Sequence, residues 1–221
     1  MTRSTLLLAR RGLLALAVGL ALAGPLSVQA ATKPAPAISA EDQTLVDKAV
    51  AYLQGLGEAK GHFTQSDGRG ATSQGELFLK RPGKARFAYA PPSGLTVVSD
   101  GGRVIVSDTR LNTFTAYPLG ATPLSLLLAK TIRLDKGVQV TRVAHAADGF
   151  SITARDGTKA TAGQIVLTFT DRPMSLAAWA VTDAQGRTTQ VRITGLARTT
   201  GLDPAMFVLK DPRPRVAKPL M

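Results

Sequence analysis

The hydrophobic period of this chain changes at Gly57, and that change limits the fold more than any other feature. Before it, Leu45, Val46, Ala49, Val50, Leu53 and Leu56 recur at i, i+3 and i+4, the spacing of one apolar helix face. After it, short runs rich in β-branched and aromatic residues are separated by Gly, Pro, Asp and Ser. They fall at 59–66, 73–81, 84–90, 95–100, 103–108, 113–117, 137–145, 149–155, 163–170, 174–182, 187–197 and 206–210. About a dozen short strands at this spacing make an antiparallel meander, a sandwich or a barrel. Asp100-Gly101-Gly102, Asp156-Gly157 and Asp183-Ala184-Gln185-Gly186 carry hairpin-turn chemistry.

Two helices are expected. Ser39 caps the first and forms a capping box with Asp42, while Glu41 and Asp42 favour its positive end. Gly55 and Gly57 stop it. Residues 122–129 read as a short, strongly apolar helix with Thr122 as N-cap and Pro123 in the first turn. A weaker helical turn starts at Asp203-Pro204. One sheet face needs covering, and these helices have apolar faces to offer. The expected architecture is therefore mainly β: one strongly curved antiparallel sheet with an apolar pocket beneath helices.

The ends carry different signals. Residues 1–30 have the pattern of a secretory signal peptide: Arg3, Arg10 and Arg11, an uncharged apolar stretch at 12–24, the breaker Pro25, and Val28-Gln29-Ala30 at a cleavage site. The apolar stretch is short for a membrane span. Residues 31–38 read as a Pro/Ala linker, 39–210 as the folded domain, and 211–221 as an extended tail. Removing the signal takes 27 basic residues to 24 against 15 acidic, a net charge of +9. An exported basic protein meets anionic headgroups and acidic partners, not genomic nucleic acid. Only 5% of residues are aromatic, which also disfavours base stacking.

Composition removes several chemistries. There is no cysteine, hence no disulfide, zinc thiolate, iron–sulfur cluster or thiol nucleophile. The two histidines, His62 and His145, are too few for a His-rich metal site, and no cofactor is expected. No nucleophile elbow, dinucleotide fingerprint or phosphate-binding loop occurs. Binding is thus a better reading than catalysis. A hydrolase built on His62 with a Ser or Asp stays open as an alternative, because a triad needs only residue types this chain has.

One stretch carries a more specific pattern. Phe63-Thr64-Gln65 precedes a loop and then Gly75-Glu76-Leu77-Phe78-Leu79-Lys80-Arg81-Pro82-Gly83-Lys84. Arg86-Phe87-Ala88-Tyr89, Val97-Val98-Ser99-Asp100-Gly101, Thr122-Pro123-Leu124 and Phe207-x-Leu209 follow in order. This resembles the periplasmic outer-membrane lipoprotein carrier family, the LolA-like proteins. The resemblance implies an incomplete, strongly curved antiparallel β-barrel with helices as a lid over an apolar cavity. It implies a monomeric periplasmic chaperone that takes acylated lipoproteins from an ABC-type inner-membrane release complex to an outer-membrane acceptor. In such carriers the arginine of the K-R-P segment binds lid-helix carbonyls and holds the empty lid shut; that position here is Arg81. Family members often have a bulky apolar residue at Ala85 and Trp at Phe87, so the smaller residues here imply a cavity mouth that is wider or grips its cargo differently.

Alternation assigns Phe63, Leu77, Leu79, Ala85, Phe87 and Tyr89 to the cavity side of the sheet. Leu45, Ala49 and Leu53 are the candidates on the first helix, and Leu124, Leu127 and Leu128 on the second. Each alone reads equally as core. Lys80, Arg81, Lys84 and Arg86 form a basic cluster suited to steering an acidic partner, or else to a solvated turn. Carriage of another amphiphile, such as a phospholipid, and lipoprotein sensing without transport remain as further readings.

Overall fold

The structure, a computed structural model, describes residues 38–134, 138–156, 163–183 and 185–211. The expected signal peptide, linker residues 31–37, tail residues 212–221 and the Gly157 half of the Asp156-Gly157 turn lie outside the described residues.

Helix α1 (Ala40–Gly55) opens the described chain. Ser39 Oγ accepts from the Asp42 N–H at 3.0 Å, and Val46, Ala49 and Leu53 are buried along one face. Six strands follow as a meander: β1 (Glu58–Ser66), β2 (Thr72–Lys80), β3 (Lys84–Tyr89), β4 (Leu95–Asp100), β5 (Arg103–Asp108) and β6 (Thr113–Pro118). A 3-10 turn (Leu119–Ala121) and helix α2 (Leu124–Leu128) then lead to a second meander. That meander comprises β7 (Val138–Ala146), β8 (Gly149–Asp156), β9 (Gln164–Asp171), β10 (Met174–Thr182) and β11 (Thr188–Arg198).

All eleven strands form one antiparallel sheet in the order β6-β5-β4-β3-β2-β1-β11-β10-β9-β8-β7. The β1–β11 pair joins the two meanders, with Phe63 opposite Ile193. Among the described residues, β6 and β7 remain as unpaired edges, so the barrel is open. Register shifts at Lys60/His62, Val140/Arg142 and Leu176/Ala178 mark bulges, which bend and twist the strands that carry them. One face is therefore concave and apolar. It holds Ala59, Phe63, Leu77, Ala85 and Phe87 from the first meander, and Ile152, Ile165, Leu167, Phe169, Trp179, Val191 and Ile193 from the second. Gly75 faces Phe63 on one side and Tyr89 on the other, and a Cβ there would lie 2.1 Å from Ala88 O. The rings of Phe63 and Tyr89 meet beside it, centroids 4.9 Å apart.

Two local expectations need correction. Residues 206–210 do not form a twelfth strand. Asp203 Oδ1 accepts from the Ala205 N–H at 2.8 Å, Pro204 starts a 3-10 turn (Pro204–Phe207), and Phe207 is buried. Capping and the fixed proline φ favour that turn over extension. The turn packs on β3 and β4, where Arg86 donates to Met206 O at 3.1 Å. Nor does Thr122 cap α2 with its side chain. Its hydroxyl donates to Leu119 O at 2.8 Å within the preceding 3-10 turn, and the helix is shortened to Leu124–Leu128.

Candidate functional site: a latched apolar cavity

The two helices meet over the concave face at the β2–β3 turn. Ser99, buried on β4, donates to Gly83 O at 2.6 Å. Gly83 has φ +81°, and a Cβ there would meet Gly101 Cα at 2.8 Å. The Arg81-Pro82-Gly83 turn is thus fixed against the Val98-Ser99-Asp100-Gly101 turn, which gives the co-occurrence of these two sequence segments a packing reason.

That turn holds both helix C-termini. Arg81 Nη1 donates to Leu53 O in the last turn of α1, and Nη2 donates to Ala129 O just past α2 at 2.6 Å. The Gly83 N–H donates to Leu128 O and the Arg81 N–H to Gly57 O, each at 2.8 Å. Carbonyls at helix C-termini lack intrahelical donors and carry partial negative charge, so a guanidinium suits them. The arrangement is not one-sidedly favourable. Burial pulls the Arg81 pKa down, its Nε is buried with no hydrogen-bond partner, and no carboxylate pairs with it among the described residues. Charge-assisted bonds worth roughly 1.5–3 kcal/mol each are offset by that desolvation. The latch can therefore release at modest cost.

Further contacts hold α1. Gln54 donates to Lys130 O at 2.8 Å and accepts from the Ile132 N–H at 2.9 Å. Nearer its N-terminus, Lys48 pairs with Asp171, and Asp42 Oδ1 lies 2.9 Å from His145 Nε2. The His145 hydrogen bond is the main cause holding the Asp42 carboxyl below its usual range.

Beneath the latch lies a small void of about 20 Å³, lined by Leu53, Leu56, Leu79, Arg81, Phe87, Leu124, Leu127, Leu128, Leu176 and Trp179. It has room for about one water molecule. Seven of the residues expected from sequence meet there: Leu53, Leu79, Phe87, Leu124, Leu127, Leu128 and Arg81. Phe63, Leu77, Ala85, Ala49 and Tyr89 belong to the surrounding core. The Tyr89 hydroxyl donates to Gln65 Oε1 at 2.7 Å, and burial pushes its pKa up to about 12. Leu45 is half-buried and lines a separate polar crevice with Asp148 and Asp171.

Sequence reasoning missed Leu176 and left the direction of Trp179 unassigned, for a definite reason. Strand β10 is apolar on both faces, and the shift between Leu176 and Ala178 brings two residues three apart onto one side. The Trp179 indole meets Phe87 edge-on, centroids 6.0 Å apart. The indole helps fill the space opposite Phe87.

The other chemistry read from sequence does not converge here. His62 is exposed on the convex face, opposite Glu76 and Thr194 in the ladder. Three members of the basic cluster are occupied internally. Lys80 pairs with Glu58 at 2.8 Å and donates to Leu202 O, Arg86 binds Met206 O, and Arg81 forms the latch.

An unclosed, eleven-stranded β-barrel with a helical lid over an apolar interior defines a class of lidded containers. Comparison with known proteins narrows the class. The family model described as outer membrane lipoprotein carrier protein LolA matches residues 54–210. A relative from Alkalilimnicola ehrlichii named outer-membrane lipoprotein carrier protein is 30% identical over 213 residues, covering 90% of this chain and 92% of that one. One of the same name from Xanthomonas campestris pv. campestris is 32% identical over 159 residues, covering 66% and 75%. The match to another from Methylibium petroleiphilum, 33% identical, spans 41% of this chain and about half, 49%, of that relative's length. Among solved structures, a LolA superfamily protein from Nitrosomonas europaea aligns over 78% of this chain and 99% of its own, with 10% identity and a TM-score of 0.43. This chain belongs to the LolA family of outer-membrane lipoprotein carriers.

Proposed function

We propose that this chain is a periplasmic carrier that shields the acyl chains of lipoproteins during transit between membranes. The observation that carries the reading is the Arg81 latch across two helix C-termini above an almost volumeless apolar cavity. Such a container is shut when empty and fills only when its lid moves. Each exposed methylene costs about 0.8 kcal/mol, so the chains of one lipoprotein cost on the order of tens of kcal/mol in water. Opening exposes the leucines of α2 and the concave face, which are the right chemistry for that cargo. Cargo comes from an ABC-type inner-membrane release complex, which supplies the work of extraction, and leaves to an outer-membrane acceptor. Family membership and the signal-peptide pattern at 1–30 support that placement. The chain binds and hands over, and catalyses no reaction. The exposed position of His62 removes the motivation for a hydrolase centred on it.

Native mass spectrometry of the mature protein taken gently from its own periplasm tests this. The expected species is a complex heavier by several kilodaltons that releases an acylated polypeptide, and it accumulates with Arg81→Leu. An adduct of phospholipid mass in both proteins would replace the lipoprotein reading with carriage of another amphiphile.

A further inference from the structure

The lidded void is not the largest apolar space on the concave face. At the seam of the open barrel, between the segment leading into α2 and the ends of β7–β10, runs a groove of about 390 Å³. This is within the range of small-molecule sites. Its floor includes a row across the sheet in which Val181 faces Ile165 and Ile165 faces Ala154, and Val138 at the start of β7 also lines it. Pro123 and Leu126 form the opposite wall.

We propose that this groove is a second acyl-chain site, which takes one chain of an acylated protein while the Arg81 latch is still closed. The inference rests on the carrier reading above. Three observations support it. First, size separates the two spaces: about 390 Å³ against about 20 Å³. Of the two, the groove alone has room for a chain with the lid shut. Second, the spaces are lined by neighbouring residues of the same two elements. Leu126 precedes Leu127 on α2, and Val181 is two residues from Trp179 on the same face of β10. A chain in the groove therefore lies beside the lid helix and can wedge α2 away from the sheet. Third, the rim is polar: Gln164, Thr182 and Arg155 border the groove, and no acidic side chain lines it among the described residues. Such a rim offers donors to the ester or amide carbonyls at the neck of an acyl chain. The site would let the first chain bind before the lid opens for the rest, so the latch need not break in water.

Trp179 is the only tryptophan and makes a built-in reporter. The probe is a peptide carrying one brominated N-palmitoyl chain, titrated into the mature protein with quenching of Trp179 as the readout. The expected result is saturable quenching that weakens about tenfold or more in both Val181→Phe, which fills the groove, and Leu126→Gln, which makes the opposite wall polar. Val181 and Leu126 are both half-buried, so neither substitution removes a fully buried core side chain. Unchanged binding in both groove variants would place the chain under the lid and overturn the proposal. If a triacylated peptide binds and the single-chain probe does not, this inference fails and the carrier reading stands. If neither binds, both fail.

Discussion

Arg81 is where single side chains matter most. It ties two helices to one turn through three hydrogen-bonded elements of its own segment: the guanidinium, its own N–H and the Gly83 N–H. Arg81→Leu should lower the opening free energy of α2 by about 1–3 kcal/mol, seen as faster amide exchange there with the β1–β3 core unchanged. Gly83→Ala tests the same latch from below. Its φ of +81° and the 2.8 Å approach to Gly101 predict a loss of about 1–3 kcal/mol in global stability, measured by urea unfolding. Tyr89 gives a pH signature. Its folded pKa, about 12, lies above the ordinary value of 10.0. Between those values the folded state holds a proton that the unfolded state has lost. Stability is thus full below pH 10 and falls by about 1.4 kcal/mol per pH unit up to pH 12, and Tyr89→Phe abolishes that slope.

Among the elements, α1 is held by two kinds of attachment. Its C-terminal end depends on the Arg81 latch and Gln54, and its N-terminal half on the Lys48–Asp171 ion pair and the Asp42–His145 hydrogen bond, at the β9–β10 and β7–β8 ends of the sheet. Asp42 and Asp171 both have lowered pKa values, caused mainly by His145 and Lys48. Their contribution is present above the ordinary carboxylate value of 3.8 and is lost as pH falls through the lowered values. Both pairs are exposed, so salt screens them. Raising salt should speed hydrogen exchange in 40–48 while the latched end stays protected; uniform loosening of α1 would contradict the division. Most of this element structure was legible in the sequence. The period change at Gly57, the Ser39 cap and the turn aspartates are local signals, and local signals set helix starts and hairpins. Strand twelve failed because Asp203-Pro204 supplies a competing local turn. Thr122 failed because the preceding 3-10 turn uses its hydroxyl.

For the whole molecule, the cavity was legible on one side only. The first meander and the helices follow clean alternation and helical period, and the K-R-P segment pointed to Arg81. The far wall was not legible, because Leu176 and Trp179 share a face only through a bulge that no period announces. The C-terminal turn forms a separate buried patch on the convex side. Val98 and Ile105 pair across β4–β5 on the face opposite Val97, and Phe207 is 1% exposed. Phe207→Ala should therefore cost about 3–5 kcal/mol in unfolding while leaving acyl binding intact in whatever fraction stays folded. The central claim is that the lid moves to admit cargo. Hydrogen exchange of the mature chain with and without a bound triacylated lipoprotein tests it most directly. Loading should strip protection from α2 and from the last turn of α1 while β1, β2 and β11 keep theirs. Cargo bound at full occupancy with α2 as protected as in the empty protein would contradict the account.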